Sequence, residues 1–147
     1  MTRPQGIVDV GRKPVVPRRA VAQARLVLRP KTLAAVREGR VEKGDVETIA
    51  RTAAVLAVKD TPRILPMCHP IPVTAVRVEF SHEEDSLGVR VTVEAEYRTG
   101  VEMEALTGAA VALLTVWDLV KPLEKDADGN YPDARLTDLV VVEKVKG

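Results

Sequence analysis

Alternation of apolar and polar positions is the first pattern along the chain. Ala20, Ala22, Ala24, Leu26 and Leu28 share one side, with Gln23, Arg25 and Arg29 on the other, as in a strand buried on one face. Pro30 suits the first position of a short helix over 31–38, which Gly39 stops. A second helix is predicted after Lys43-Gly44-Asp45. Asp45 can cap its free amides, and Val46, Ile49, Ala50, Ala53 and Ala57 follow at helical spacing until Asp60-Thr61-Pro62. Residues 62–72 (PRILPMCHPIP) hold four prolines, a density that predicts a stiff extended loop rather than a helix or a central strand.

Residues 73–80 read as a strand and 81–88 (SHEEDSLG) as a polar turn. Val89, Val91, Val93, Ala95 and Tyr97 then alternate with Arg90, Thr92, Glu94, Glu96 and Arg98, giving a second strand that closes a hairpin with the first. A long apolar helix is expected over 102–120, ended by Pro122. A polar loop over 124–135 and a last strand over 136–145 complete the chain. The order strand, two helices, hairpin, helix, strand predicts an α+β fold: a ferredoxin-like split βαβ antiparallel sheet with an additional helix. Residues 1–19, with prolines at 4, 14 and 17 and basic residues at 3, 12, 13, 18 and 19, are expected to form an irregular basic arm. Residues 20–147 then form a single ferredoxin-like domain.

Composition narrows the function classes. A chain of 147 residues, 46% hydrophobic and 29% charged, suits one soluble domain able to bury roughly 70% of its unfolded surface. Lys plus Arg is 22 and Asp plus Glu 21, so a nucleic-acid or membrane-surface binder working by bulk charge is not expected, while a local cationic pocket stays open. One cysteine forms no internal disulfide, and with two histidines it completes no ordinary zinc site. The longest uncharged stretch, 105–117, is short for a bilayer span, and the first residues lack the apolar run of a signal peptide. The expected location is cytoplasmic. With only four aromatic residues (Phe80, Tyr97, Trp117 and Tyr131), the core must be small aliphatic, and such cores are often completed between subunits, which predicts an oligomer. Three Asn and Gln in all is a scarcity seen in heat-adapted proteins.

Four places could carry chemistry. Lys43 stands beside a helix N-terminus, where amides and an ammonium can hold a phosphate, or where a cap and a solvated lysine suffice. In Met67-Cys68-His69-Pro70, adjacent residues of an extended segment point opposite ways, so Cys68 and His69 are not expected to form a thiolate–imidazolium pair. His69 can donate to a substrate or make a structural hydrogen bond, and His82 in the polar turn is expected to be solvated. Glu102 and Glu104 complement a helix dipole and diverge by about 200° on a regular helix, so they do not chelate one ion together. Asp118 opposes the dipole in the last turn of the helix expected to be most buried, where an acid requires partners. Lys121 shares its face, and the two form either a surface ion pair or a proton-transfer pair. Lys125, Lys144 and Arg18 add cations that only the fold can bring together.

These segments, in this order, resemble molybdenum cofactor biosynthesis protein C, the cyclic pyranopterin monophosphate synthase family. The resemblance rests on Val8-Asp9-Val10, Lys43-Gly44-Asp45-Val46 followed by Ala50-Arg51, and Leu65-Pro66-Met67-Cys68-His69-Pro70. It continues through Thr99-Gly100-Val101-Glu102-Met103-Glu104-Ala105-Leu106 and Asp118 with Lys121, covering about residues 7–144. It implies a ferredoxin-like hexamer, a trimer of dimers with active sites between subunits. It also implies a lyase that converts a cyclised dihydro-GTP intermediate into cyclic pyranopterin monophosphate and pyrophosphate. By position, Asp118 is then the catalytic aspartate, and Lys43 and Lys121 are the lysines that handle protons. Met67, Cys68, His69, Met103 and Glu104 become substrate contacts with Glu102 beside them, and Arg18 and Lys144 hold the triphosphate. Crowded, partly desolvated lysines are expected to have lowered pKa values.

No redox cofactor or bound metal is required, and Mg²⁺ can accompany the phosphates. The chain departs from the commoner pattern in ending without a Gly-Gly-Lys-Ser-Gly tail and in its loop over 126–135. The main rival is a non-catalytic nucleotide-binding regulatory module, against which the Asp118–Lys121 pair in an apolar helix argues. An RNA-binding sheet is disfavoured because the strands offer almost no aromatic residues for base stacking and the net charge is near zero.

Overall fold

The two alternating segments of the sequence become neighbouring central strands. In a computed structural model, which describes residues 5–147, the elements are β1 (Val16–Val27), α1 (Pro30–Arg37), α2 (Val46–Ile64), β2 (Val73–His82), β3 (Ser86–Tyr97), α3 (Glu102–Glu124) and β4 (Arg135–Lys146). The strands pair antiparallel in the order β2-β3-β1-β4. The units β1-α2-β2 and β3-α3-β4 each skip one strand and interleave, which is the split βαβ arrangement, with α1 as the additional helix.

Alternation decides which face is covered. Ala20, Ala22, Ala24 and Leu26 of β1 and Leu87, Val89, Val91, Val93 and Ala95 of β3 are buried under the helices. Against them lie Ala50, Ala54 and Val58 of α2 and Ala105, Ala109, Ala112, Leu113, Val116 and Val120 of α3. Small residues let the helices approach closely. A Cβ added at Gly108 would stand 2.8 Å from Cγ2 of Val58 and 3.3 Å from Cγ1 of Val91, so glycine is where α3 meets α2 and β3 at once. By length and composition α3 could cross a membrane, with a mean hydropathy of 1.5. Its most apolar side instead packs on β1, β3 and α2 as the core helix.

The outer face of the sheet carries ion pairs in place of a second layer. Arg19 lies 2.9 Å from Glu143, and Arg25 holds Asp138 through Nε at 3.0 Å and Nη2 at 2.8 Å. The edge strand β4 breaks register with β1 twice, between Val21 and Ala22 and between Gln23 and Arg25. At the second break Asp138 is in the left-handed region, at φ 57°.

Several boundaries differ from the sequence reading. β1 begins at Val16 rather than at residue 20, so Arg18 and Arg19 belong to the sheet. Pairing with β3 from Val16 and with β4 from Arg18 carries the strand into the basic arm, leaving 5–15 without helix or strand and 1–4 outside the described residues. α2 and α3 run past Pro62 and Pro122 to Ile64 and Glu124. A proline in the last turn removes one amide only, and Leu65 and Lys125 still donate to the carbonyls of Thr61 and Lys121. The hairpin turn shrinks to 83–85, because Ser81 still pairs with Gly88 and His82 with Leu87. His82 is not merely solvated: its Nε2 lies 3.0 Å from Oε2 of Glu47 on α2.

A fully buried glutamate ties helix ends together. Glu124, the last residue of α3, accepts hydrogen bonds from the backbone amide of Arg29 at 3.0 Å and from the hydroxyl of Thr32. Arg29 is the N-cap of α1 and offers no side-chain cap, so α3 supplies the acceptor for α1.

Candidate active site

The candidate residues gather at opposite ends of α3. At the C-terminal end, Oδ1 of Asp118 lies 3.1 Å from Nζ of Lys121 and 3.8 Å from Nζ of Lys43. Lys121 reaches it because residues three apart share a helix face. Lys43 arrives from the turn before α2, where the Gly44 amide donates to the carbonyl of Val41. Gly44 sits at φ +136°, a conformation natural only to glycine. Nζ of Lys43 also donates to the backbone carbonyl of Asp118 at 3.2 Å.

Three expectations change here. The amide of Thr48 is taken by Asp45 at 3.1 Å, and Lys43 turns to the end of α3, so the two do not jointly form a phosphate cradle. Asp118 is not buried: its side chain is 60% exposed, on the open side of a helix whose other side is the core. Lys121 is not lowered. The hydrogen bond with Asp118, followed by the charge of Asp118, raises its pKa, which favours the ammonium form. Reciprocally, the bond from Lys121 and the charge of Lys43 hold the Asp118 carboxyl below its ordinary range. One carboxylate thus serves two ammonium groups, with one positive charge in surplus.

The N-terminal end is acidic and partly buried. Glu104 is 2% exposed, and burial, then the neighbouring charge of Glu102, raises its pKa. Burial and the same two carboxylates push the Cys68 thiol up, which keeps it protonated and unsuited to act as a nucleophile. Nε2 of His69 bonds to the carbonyl of Val8 at 2.6 Å, tying the loop to the arm. Met67 and Met103 are exposed.

Cations reach this end from the sheet. Lys144 donates to Oε1 of Glu102 at 3.3 Å. Arg18, 7% exposed, donates through Nε to the carbonyl of Tyr97 at 3.3 Å, while its Nη2 is buried with no partner among the described residues. Nε of Arg98 and Oε2 of Glu102 are likewise buried without partners among the described residues. Arg98 was not singled out by the sequence, and its only signal there is a place between an alternating strand and the Thr99-Gly100 turn.

Lys43, Lys121 and Asp118 therefore converge, as do Cys68, Glu102, Glu104 and Lys144, with Arg18 on β1 and His69 in the proline-rich loop. The two groups do not meet within one chain. Fourteen residues of helix from Glu104 to Asp118 span about 21 Å. Neither of two clefts encloses the candidates: one of about 760 Å³ lies between Arg25, Glu79, Arg90 and Asp138, and one of about 530 Å³ borders Arg18 alone among them. No group of three or more His, Cys, Asp or Glu side chains among the described residues is arranged to hold a metal ion.

Known proteins show the same arrangement of sequence. The chain is 57% identical over 141 residues to a probable cyclic pyranopterin monophosphate synthase of Methanoregula boonei, covering 96% of this chain and 91% of the relative. It is 54% identical over 142 residues to a protein of the same description from Aeropyrum pernix, covering 97% of each. A probable cyclic pyranopterin monophosphate synthase accessory protein of Methanothermobacter thermautotrophicus is 51% identical over 140 residues, 95% of this chain and 88% of the relative. The profile of the MoaC family matches residues 7–147, and the chain belongs to that family.

Proposed function

We propose that this chain is a cyclic pyranopterin monophosphate synthase of molybdenum cofactor biosynthesis. It converts a cyclised dihydro-GTP intermediate into cyclic pyranopterin monophosphate and pyrophosphate, at sites completed between copies of the chain. One observation carries the reading: the Asp118–Lys43–Lys121 cluster and the acidic and cationic group at Glu104 occupy opposite ends of one helix. Between them α3 exposes an apolar stripe, with Met103 40% and Leu114 52% exposed and Leu106, Ala110 and Trp117 half-exposed. Two copies of α3 packed antiparallel along this stripe bring the lysines of one copy to the glutamates of the other. A trimer of such dimers is the assembly this reading adopts, with the cytoplasm as its location.

The residues suit the steps. Lys121, held charged by Asp118, gives a proton during ring opening, and Lys43 on the same carboxylate is placed for the return transfer. Attack of a sugar hydroxyl on the α-phosphorus forms the cyclic phosphate and breaks the bond to the β-phosphate. The departing pyrophosphate carries growing negative charge, for which Nη2 of Arg18 and the Lys144 ammonium are donors. Glu104, protonated more readily than an ordinary carboxyl, can donate to the purine-derived ring. No redox or metal cofactor is needed for these transfers, and Mg²⁺ would travel with the triphosphate. A regulatory module without turnover is the weaker reading, because binding alone calls for no carboxylate shared by two lysines.

The test is turnover of the cyclised intermediate by purified protein, followed by mass spectrometry and pyrophosphate release. Product from the native chain, lost in Asp118→Ala with assembly intact, is the expected result. Saturable binding without product would overturn the reading.

A further inference from the structure

Val8-Asp9-Val10 belongs to neither cluster on α3, yet its backbone is held in a turn. Oδ1 of Asp9 accepts from the Gly11 amide at 2.8 Å, and the Lys13 amide donates to the carbonyl of Val10 at 3.0 Å. Apolar burial does little to anchor this stretch, since Ile7, Val8 and Val15 are 52%, 70% and 55% exposed. Its one hydrogen bond to the rest of the fold, among the described residues, joins the carbonyl of Val8 to Nε2 of His69 at 2.6 Å. His69 is itself restrained, with Pro66, Pro70 and Pro72 about it and the Cys68 amide donating to the carbonyl of Leu65 at 3.0 Å.

A carbonyl only accepts, so the ring nitrogen that meets it must carry the proton. In the neutral ring the other nitrogen is then a lone pair. Nδ1 of His69 has no hydrogen-bond partner among the described residues and is not sealed from solvent. We infer that the Val8-Asp9-Val10 turn is a positioning element for His69: the Val8 carbonyl keeps the proton on Nε2, and Nδ1 is thereby set to accept from an N–H or O–H of the ligand. Of the two uses open to His69 in the sequence, the structural bond takes one nitrogen, and the other accepts where donation was expected. The loop lies at the acidic end of α3, because the charges of Glu104 and Glu102 reach the neighbouring Cys68. On the synthase reading, on which the ligand's identity rests, the groups able to donate to Nδ1 are the N–H groups of the purine-derived ring and the sugar hydroxyls, not the triphosphate oxygens. A donor at Glu104 and an acceptor at His69 suit a ring that carries both carbonyl and amino groups.

The chain has two histidines, so histidine-labelled protein shows two rings, and His82→Gln leaves His69 alone. The full-length chain without ligand is observed by proton–nitrogen NMR at a pH about two units above the ordinary histidine value, where the ring is neutral. The expected result is an Nε2–H proton on His69 that exchanges slowly with water, and a bare Nδ1. Asp9→Ala, which loosens the turn, should speed that exchange. Removing residues 1–10, which leaves every helix and strand in place, should abolish the signal. A proton found on Nδ1, or an Nε2–H signal that survives the truncation, overturns the inference. Turnover separates positioning from packing: the truncation should lower kcat about tenfold in the native chain and by no more than about twofold in His69→Ala, since the turn acts through that ring. Equal losses in the two backgrounds also overturn it. The NMR result needs no substrate, so a native chain without turnover sinks the synthase reading and leaves the protonation of the ring to decide this one.

Discussion

Glu124 offers a sharp test of how the end of α3 is held. Its carboxylate is fully buried and serves the Arg29 amide and the Thr32 hydroxyl at the start of α1. Glu124→Ala strands both donors. The threonine hydroxyl can turn to a carbonyl of its own helix, but the Arg29 amide cannot, and one stranded buried donor costs about 1–3 kcal/mol. The vacated space adds about 1 kcal/mol, for a total of about 2–4 kcal/mol. Unfolding entropy of about 2.1 cal/mol/K per residue makes 3 kcal/mol a fall in Tm of about 10 °C for a chain this long. Glu124→Gln keeps an acceptor oxygen for both donors and should stay within about 1 kcal/mol of the native chain. Thermal unfolding of the three proteins at one fixed concentration, so that any assembly contributes equally, reads the difference. An alanine variant that melts within about 2 °C of the native chain would refute the reasoning. So would a glutamine variant damaged as much as the alanine.

Other outcomes follow from the same geometry. Glu104→Gln should change how stability depends on pH. The folded-state pKa of Glu104 lies above the ordinary value of 4.5, so the folded chain keeps its proton longer, and stability falls as pH rises from there through the raised value. The variant should therefore be more stable than the native chain at neutral pH and gain nothing well below that ordinary value; urea unfolding against pH would show an unchanged difference if this is wrong. Gly108→Ala should destabilise by about 0–2 kcal/mol, overpacking at about 1–3 kcal/mol less about 1 kcal/mol of helix propensity, and any gain in Tm would contradict the close approach of α2, α3 and β3. Asp118→Ala mixed and reassembled with Arg18→Ala should recover part of the turnover that each lacks alone. Recovery indistinguishable from zero, with mixed assemblies present, would place both residues in one chain's site.

Much of the fold was legible because its signals are local. The period of two in β1 and β3 and the helical spacing in α2 and α3 are set by neighbours a few residues away. The misread boundaries share one cause, in that long-range pairing carried elements past local stop signals. Pro62 and Pro122 signalled ends, yet each helix continued where one lost amide was outweighed by packing and by the bonds of Glu124. Ser81 and Gly88 read as turn residues but face each other in the ladder. The site was legible as residue types and not as geometry. Lys43 meets the carbonyl of a residue 75 positions away, and no spacing rule reaches that far. Asp118 was credited to burial, although its partners are explained by exposure on the open side of α3.

The two interruptions in β4 also bear on how the chain behaves when crowded. Leu139, Val140, Val141, Val142 and Val145 all lie 40–45% exposed along a strand that, among the described residues, has no partner on its outer edge. A flat strand of that composition is a template for another chain and a seed for fibrous aggregation. The irregularities opposite Val21–Ala22 and Gln23–Arg25, the second with its left-handed Asp138 clasped by Arg25, break the even row of edge amides and increase the local twist. A sequence with the surplus residues deleted would present a straighter, stickier margin, gaining regularity and losing solubility.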